Sequence, residues 1–153
     1  AYDLEPSADI IVVYGGVNDY IHGDARFGDM SDKTPETFCG AVDFLMRFLK
    51  DTYENADIVF MTPARMQYGD FNDEKPSPRP MKAADAKPLK EYCRVIIEKG
   101  KQYGIPVLDL YSTLGIDPNI PEEREKYTAD GLHFNNAGHA VLADRLAAFL
   151  KQL

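Results

Sequence analysis

The sequence has 153 residues, of which 44% are hydrophobic and 27% charged, and its formal net charge is −8. That length suits one globular domain over residues 1–153, and the charge argues against a nucleic-acid partner, because phosphate binding relies on clustered Lys and Arg. No apolar stretch approaches the roughly 20 residues that span a bilayer, and residues 1–8 lack the basic start and apolar run of a signal peptide, which leaves the compartment open.

Residues 8–14 (ADIIVVY) form a continuous apolar run ending at Gly15-Gly16. A run without polar alternation predicts a strand covered on both faces, as in a parallel sheet. Thr34, Pro35 and Glu36 then read as an N-cap, a proline at the first helical position and an acid in the first turn. The helix that follows aligns Phe38, Val42, Leu45 and Leu49 on one face. Residues 57–62 (DIVFMT) predict a second strand, stopped by Pro63. Residues 64–84 contain Pro76, Pro78 and Pro80, and a connection of that length predicts a lid, a binding loop or an exposed insertion. A second helix from about Pro88 aligns Leu89, Cys93, Ile96 and Tyr103 and stops at Gly104. Residues 105–110 predict a third strand. A last helix from Asn135 or Asn136 presents Val141, Leu142, Leu146, Phe149 and Leu150. Cys39 and Cys93 both fall within helical patterns, where buried free thiols are expected.

Alternation of strand and helix predicts a doubly wound α/β domain with a parallel sheet. Three strands are few for such a sheet, and the most apolar of them comes first. Further N-terminal strands are therefore expected to be missing from before residue 1, and either that segment or a dimer partner is expected to cover the first strand.

Two clusters carry chemistry. Gly15-Gly16-Val17-Asn18-Asp19 follows the first strand at its carboxyl end, the edge where open α/β sheets bind ligands. A glycine pair permits a sharp turn and a close backbone approach, and an Asn amide is a neutral donor suited to a developing oxyanion. Read alone, Asn18 and Asp19 also suit a plain turn. The second cluster is Asp130-Gly131-Leu132-His133, before the last helix. A spacing of three in a loop lets a carboxylate take the Nδ1 proton of an imidazole, leaving Nε2 as a general base.

Together, Gly16-x-Asn18-Asp19 and Asp130-x-x-His133, in that order and in those elements, resemble the SGNH hydrolases, the GDSL-type lipases and esterases. The resemblance implies a flavodoxin-like three-layer sandwich and a serine esterase or acylhydrolase that acts on small-molecule or carbohydrate esters, acetyl esters among them. It makes Asp130 and His133 the triad acid and base and Asn18 an oxyanion-hole donor. It gives His139 and Asp19 structural roles and implies neither cofactor nor metal. Gly16 and His22, beside the Asn motif, are candidate pocket residues, with a solvated loop histidine as the competing reading of His22. Phe134 stands where family members often have proline. The family's Gly-Asp-Ser block and its second, glycine block do not occur in the sequence, so the nucleophilic serine is expected outside it and the chain alone is expected to be inactive. Ser7, Ser31 and Ser77 lie away from any positioning turn. Ser112 follows the third strand, on the side of the sheet away from Asn18. The competing readings are a non-catalytic binding module on the same fold and a metal-dependent hydrolase using His22, Asp130, His133 and His139. For the latter, no HExxH or paired Cys/His spacing is present.

Overall fold

Three parallel strands, β1 (Ile10–Tyr14), β2 (Asp57–Met61) and β3 (Val107–Leu108), lie side by side in the order β1-β2-β3. They belong to a computed structural model that describes residues 5, 7–23, 25–69 and 84–153. The register pairs Ile11 with Ile58, Tyr14 with Met61, and Met61 with Leu108. Successive side chains of a strand point to opposite faces, and β2 shows why its sequence is apolar throughout. Ile58 and Phe60 enter one core together with α2 (Phe38–Thr52) and α3 (Leu89–Tyr103). Met61 enters a second core on the other face, where Val141, Leu142, Leu146 and Phe149 of α6 (Asn136–Leu150) pack. The outcome is the helix–sheet–helix layering expected of the sequence.

The chain departs from its predicted elements at three places. α2 begins at Phe38 and is capped by Thr37, whose hydroxyl accepts the Gly40 N–H at 3.1 Å, rather than by Thr34. The N–H groups of Phe38 and Cys39 are already taken by the carbonyls of Arg26 and Phe27, so the helix starts where that loop docks. Leu45, placed on the buried stripe, is more than a third exposed, whereas Cys39 and Met46 are fully buried. The third strand is only two residues long, because Asp109 accepts the Ser112 N–H and starts the short helix α4 (Leu110–Thr113). Two further short helices, α1 (Val17–His22) and α5 (Pro121–Tyr127), are too brief to show a periodicity. Of the 64–84 stretch, residues 70–83 lie outside the described residues. Cys39 and Cys93 are buried thiols outside any disulfide, as expected. No helix among the described residues is long and apolar enough to cross a membrane.

A buried ion pair locks α2 to α3. Lys99 Nζ donates to Asp43 Oδ1 at 2.6 Å and to the Met30 carbonyl at 2.7 Å, with both charged side chains inaccessible to solvent. Burial alone would push the Asp43 carboxyl up. Hydrogen bonds from Lys33, Lys99, Tyr103 and Arg47 more than offset it and hold the group well below the ordinary carboxylate range. Removing Lys99 takes from the buried Asp43 carboxylate its fully buried counter-charge and leaves it only the partly exposed charges of Lys33 and Arg47. Lys99→Met is therefore expected to destabilise the protein by about 3 kcal/mol, read as a lower urea midpoint, and an unchanged midpoint would refute this account.

β1 is an edge strand, and both helical layers stop short of its outer side. Ile11 is buried, but Ile10, Val12 and Tyr14 on the opposite face are exposed, as are Phe44, Leu45 and Phe48 of α2. An exposed apolar edge is a template for pairing with another chain. The 153-residue chain alone is expected to self-associate in sedimentation velocity, with Val12→Lys shifting it toward monomer. A monomer across the concentration range would contradict this.

Candidate active site

Parallel strands end at one edge of the sheet, and the site is assembled there. After Tyr14 the chain turns through Gly15 and Gly16. Gly16 adopts a left-handed conformation (φ 100°) and precedes α1, so that Asn18 sits in the first turn of that helix. After β2, residues Pro63, Ala64 and Arg65 arrive at the same edge. Before α6, the 128–135 loop brings His133 to them. Asn18 and His133 line one cavity of about 210 Å³, together with Tyr14, Ala64, Arg65, Leu132, Phe134 and His139.

The Asp130–His133 pair has the contact its spacing predicts. Asp130 Oδ2 lies 2.8 Å from His133 Nδ1, while Oδ1 accepts the backbone N–H groups of Leu132 (3.0 Å) and His133 (2.8 Å). The His133 N–H, the His133 ring and the Leu132 N–H all favour the ionised form, and they bring the Asp130 carboxyl down to about 2. An ionised carboxylate can only accept, so Nδ1 carries the proton and Nε2 is the basic nitrogen. The loop closes through Ala129 N–H to the His133 carbonyl at 2.8 Å, and Gln67 N–H to the Gly131 carbonyl at 2.8 Å. Asn135 then caps α6, its Oδ1 accepting the N–H groups of Ala137 and Gly138.

The other sequence candidates fall elsewhere. Gly16 lines an adjoining groove of about 130 Å³ with Asp19, Phe38, Val42 and Leu45, rather than the cavity that holds His133. His22 is exposed at the last position of α1, one turn beyond Asn18, and does not line that cavity. His139 does line it, with its ring edge-on to Phe134. Of the described serines, Ser7, Ser31 and Ser112, none lines it, and Ser77 lies outside the described residues. Among the described residues no three His, Cys, Asp or Glu side chains gather closely enough to hold a metal ion.

Sequence reasoning missed Tyr14 and Arg65. Arg65 is held by its Nε–H donating to the Tyr111 carbonyl at 3.2 Å and by the Tyr111 ring beneath its guanidinium. Tyr14 ends β1 and Arg65 lies four residues past the end of β2, near strand ends where α/β ligand sites form. That the two meet is decided by the pairing of β1 with β2.

An open parallel α/β sheet whose carboxyl edge gathers an Asn and an Asp–His pair has the layout of the SGNH hydrolase fold. Comparison with known proteins agrees. The model of the GDSL-like lipase/acylhydrolase family matches residues 2–141, and the chain belongs to this family. A protein from Lactobacillus plantarum has a similar structure, with a TM-score of 0.85 at 31% identity over 98% of this chain and 70% of its own. A possible lipase from Chitinophaga pinensis aligns with a TM-score of 0.68 at 22% identity, over 94% of this chain and 72% of its own. An acetylxylan esterase from Geobacillus stearothermophilus aligns with a TM-score of 0.57 at 17% identity, over 92% of this chain and 58% of its own. The last two likenesses establish the shared fold. No curated protein matches the chain. Family membership makes ester hydrolysis the activity of this domain.

The Asp130 carboxyl supplies a pH test. Its value in the folded loop lies below the unfolded value of about 3.9, so its ionisation favours the folded loop above that pH. The contribution is lost as the pH falls toward about 2. In a ¹³C NMR titration the Asp130 carboxyl is expected to stay ionised down to about pH 3. A midpoint at the ordinary carboxylate value would show that the loop does not hold it.

Proposed function

We propose that this domain hydrolyses carboxylic esters by a Ser–His–Asp mechanism in which Asp130 is the acid, His133 the base and Asn18 an oxyanion-hole donor. The observation that carries the reading is the 2.8 Å Asp130–His133 contact on one wall of a cavity that Asn18 also lines. No described serine lines that cavity and the sequence contains no Gly-Asp-Ser block, so the proposed nucleophile belongs to a segment outside these 153 residues. That segment would lie against the exposed edge of β1, beside Asn18.

In the first half-reaction the serine Oγ attacks the ester carbonyl and its proton passes to His133 Nε2. The carbonyl π electrons move onto oxygen, where the Asn18 amide donates to the developing charge. Collapse of this intermediate breaks the ester C–O bond, and the leaving alcohol takes the proton from Nε2. Water then repeats the sequence on the acyl-enzyme, releasing the acid and the free serine. The Asp130 carboxylate stabilises the imidazolium in both halves and stays ionised itself. The steps use no metal or cofactor.

A cavity of about 210 Å³ supports a small acyl group such as acetyl, and the acetylxylan esterase of shared fold supports a carbohydrate as the alcohol. No described serine lines the cavity, an observation that would also suit the alternative of a binding module on the same fold, and kinetics separate the two readings. The 153-residue chain alone is expected to leave p-nitrophenyl acetate intact, and the protein extended through its serine-bearing segment to cleave it. In the extended protein His133→Ala should lower kcat by about 10³- to 10⁴-fold and Asn18→Ala by about 10²- to 10³-fold. Undiminished turnover in His133→Ala would overturn the mechanism. A serine-bearing protein that binds acetylated sugar without cleaving it would establish the binding module instead.

A further inference from the structure

The Asp130–His133 pair stands at the surface, with 53% and 74% of the two side chains exposed. Side-chain packing therefore cannot aim it, and its geometry must come from the loop backbone. We propose that Thr128 is the positioning residue of this pair, its buried hydroxyl fastening the 129–133 turn to the end of α5.

Thr128 is one of the few buried polar residues among those described. Its Oγ1 donates to the Arg124 carbonyl at 2.7 Å, one helical turn back in α5. That bond uses the single hydroxyl proton and leaves a lone pair, which accepts the Gly131 N–H at 3.0 Å. The Gly131 carbonyl is held from the other side by the Gln67 N–H at 2.8 Å. Both polar groups of Gly131 are thus fixed to separate parts of the fold, the end of α5 and the chain leaving β2. Gly131 itself is left-handed (φ 83°), and a Cβ there would meet the Gln67 side chain at 2.8 Å.

The consequence reaches the pair through one peptide unit. Gly131 N–H belongs to the peptide that joins Asp130 to Gly131, so orienting it sets the direction of the Asp130 Cα and its carboxylate. From that direction the carboxylate accepts both the Leu132 and His133 N–H groups and meets the His133 ring. Thr128 does not line the cavity, and it acts through the backbone alone. Misplacing a reacting group by about 1 Å can cost on the order of 10²-fold in rate, so a loose turn would be felt in catalysis.

The inference rests on the roles proposed above for Asp130 and His133, and its test is separable from theirs. Valine keeps the shape of threonine without the hydroxyl, and serine keeps the hydroxyl. In the serine-bearing protein, Thr128→Val is expected to lower kcat by about 10- to 100-fold with KM unchanged, and Thr128→Ser to restore it. In the same variants, ¹³C NMR should find the Asp130 carboxyl midpoint raised toward the ordinary value in Thr128→Val and returned in Thr128→Ser. A Thr128→Val protein with the original midpoint and kcat would overturn the proposal, as would Thr128→Ser behaving like valine. Should Thr128→Val fail to fold, amide exchange in the unaltered protein decides: a slow Gly131 N–H supports the bond to Thr128, and exchange at the solvent rate refutes it. If His133→Ala leaves ester hydrolysis untouched, the catalytic roles fall, while the carboxyl titration still judges what Thr128 positions.

Discussion

The parallel pairing of β1 on β2, in register from Ile10 opposite Asp57 to Tyr14 opposite Met61, is the constraint on which the site depends. Parallel strands end at the same edge, so Gly15-Gly16 after β1 and Pro63–Arg65 after β2 must emerge together. A slip of one residue would send Ile58 and Phe60 to the face that now takes Met61, and both cores would lose their fit. The apolar side chains that fix the register therefore also fix where Asn18 begins its helix. Affinity for the core and placement of the site are one requirement seen from two ends of a strand.

Two carboxylates hold this architecture by opposite means. Asp43 is buried, and its charge survives there because Lys33, Lys99, Tyr103 and Arg47 all donate to it. Its work is to join α2 to α3 through Lys99, which also donates to the Met30 carbonyl of the preceding loop. Asp130 is half exposed and needs no such neutralisation. Backbone N–H groups and one imidazole keep it ionised, and these same bonds orient the imidazole. A buried charge here serves cohesion, and an exposed one serves aim. Because the exposed pair gains little from packing, its loop is instead tied at Gly131 from both sides, by the Thr128 hydroxyl and the Gln67 amide.

The surface beside β1 connects the fold with the chemistry. Ile10, Val12 and Tyr14 on one face of the strand and Phe44, Leu45 and Phe48 on α2 are apolar and exposed, and Val13 and Leu45 line the groove at Gly16 and Asp19. This face adjoins the cavity through Gly15, which lines both hollows. A chain lying along that edge in parallel would end beside Asn18, where the proposed reaction requires its nucleophile.

Much of this was legible in the sequence, because it rests on local rules. The run IIVVY read correctly as a strand, although only its Ile11 face is covered here, and the stripes beginning at Leu89 and at Asn136 read as amphipathic helices. Asp130 and His133 stand three residues apart, so their contact needed one turn and no distant partner. Other features were invisible because their causes are distant in sequence. The true start of α2 depends on carbonyls of Arg26 and Phe27, and the exposure of Leu45 on where the helical layer ends. Arg65 and Tyr14 join the cavity only because β2 lies beside β1, and Gln67 meets Gly131 across more than sixty residues of chain. The sequence by itself determined the elements, their parallel class and the Asp–His pair, since periodicity and short spacing act within a few residues. The tertiary structure alone decided which side chains share the cavity and what steadies the loop, since those contacts form only when strand ends distant in sequence meet at one edge.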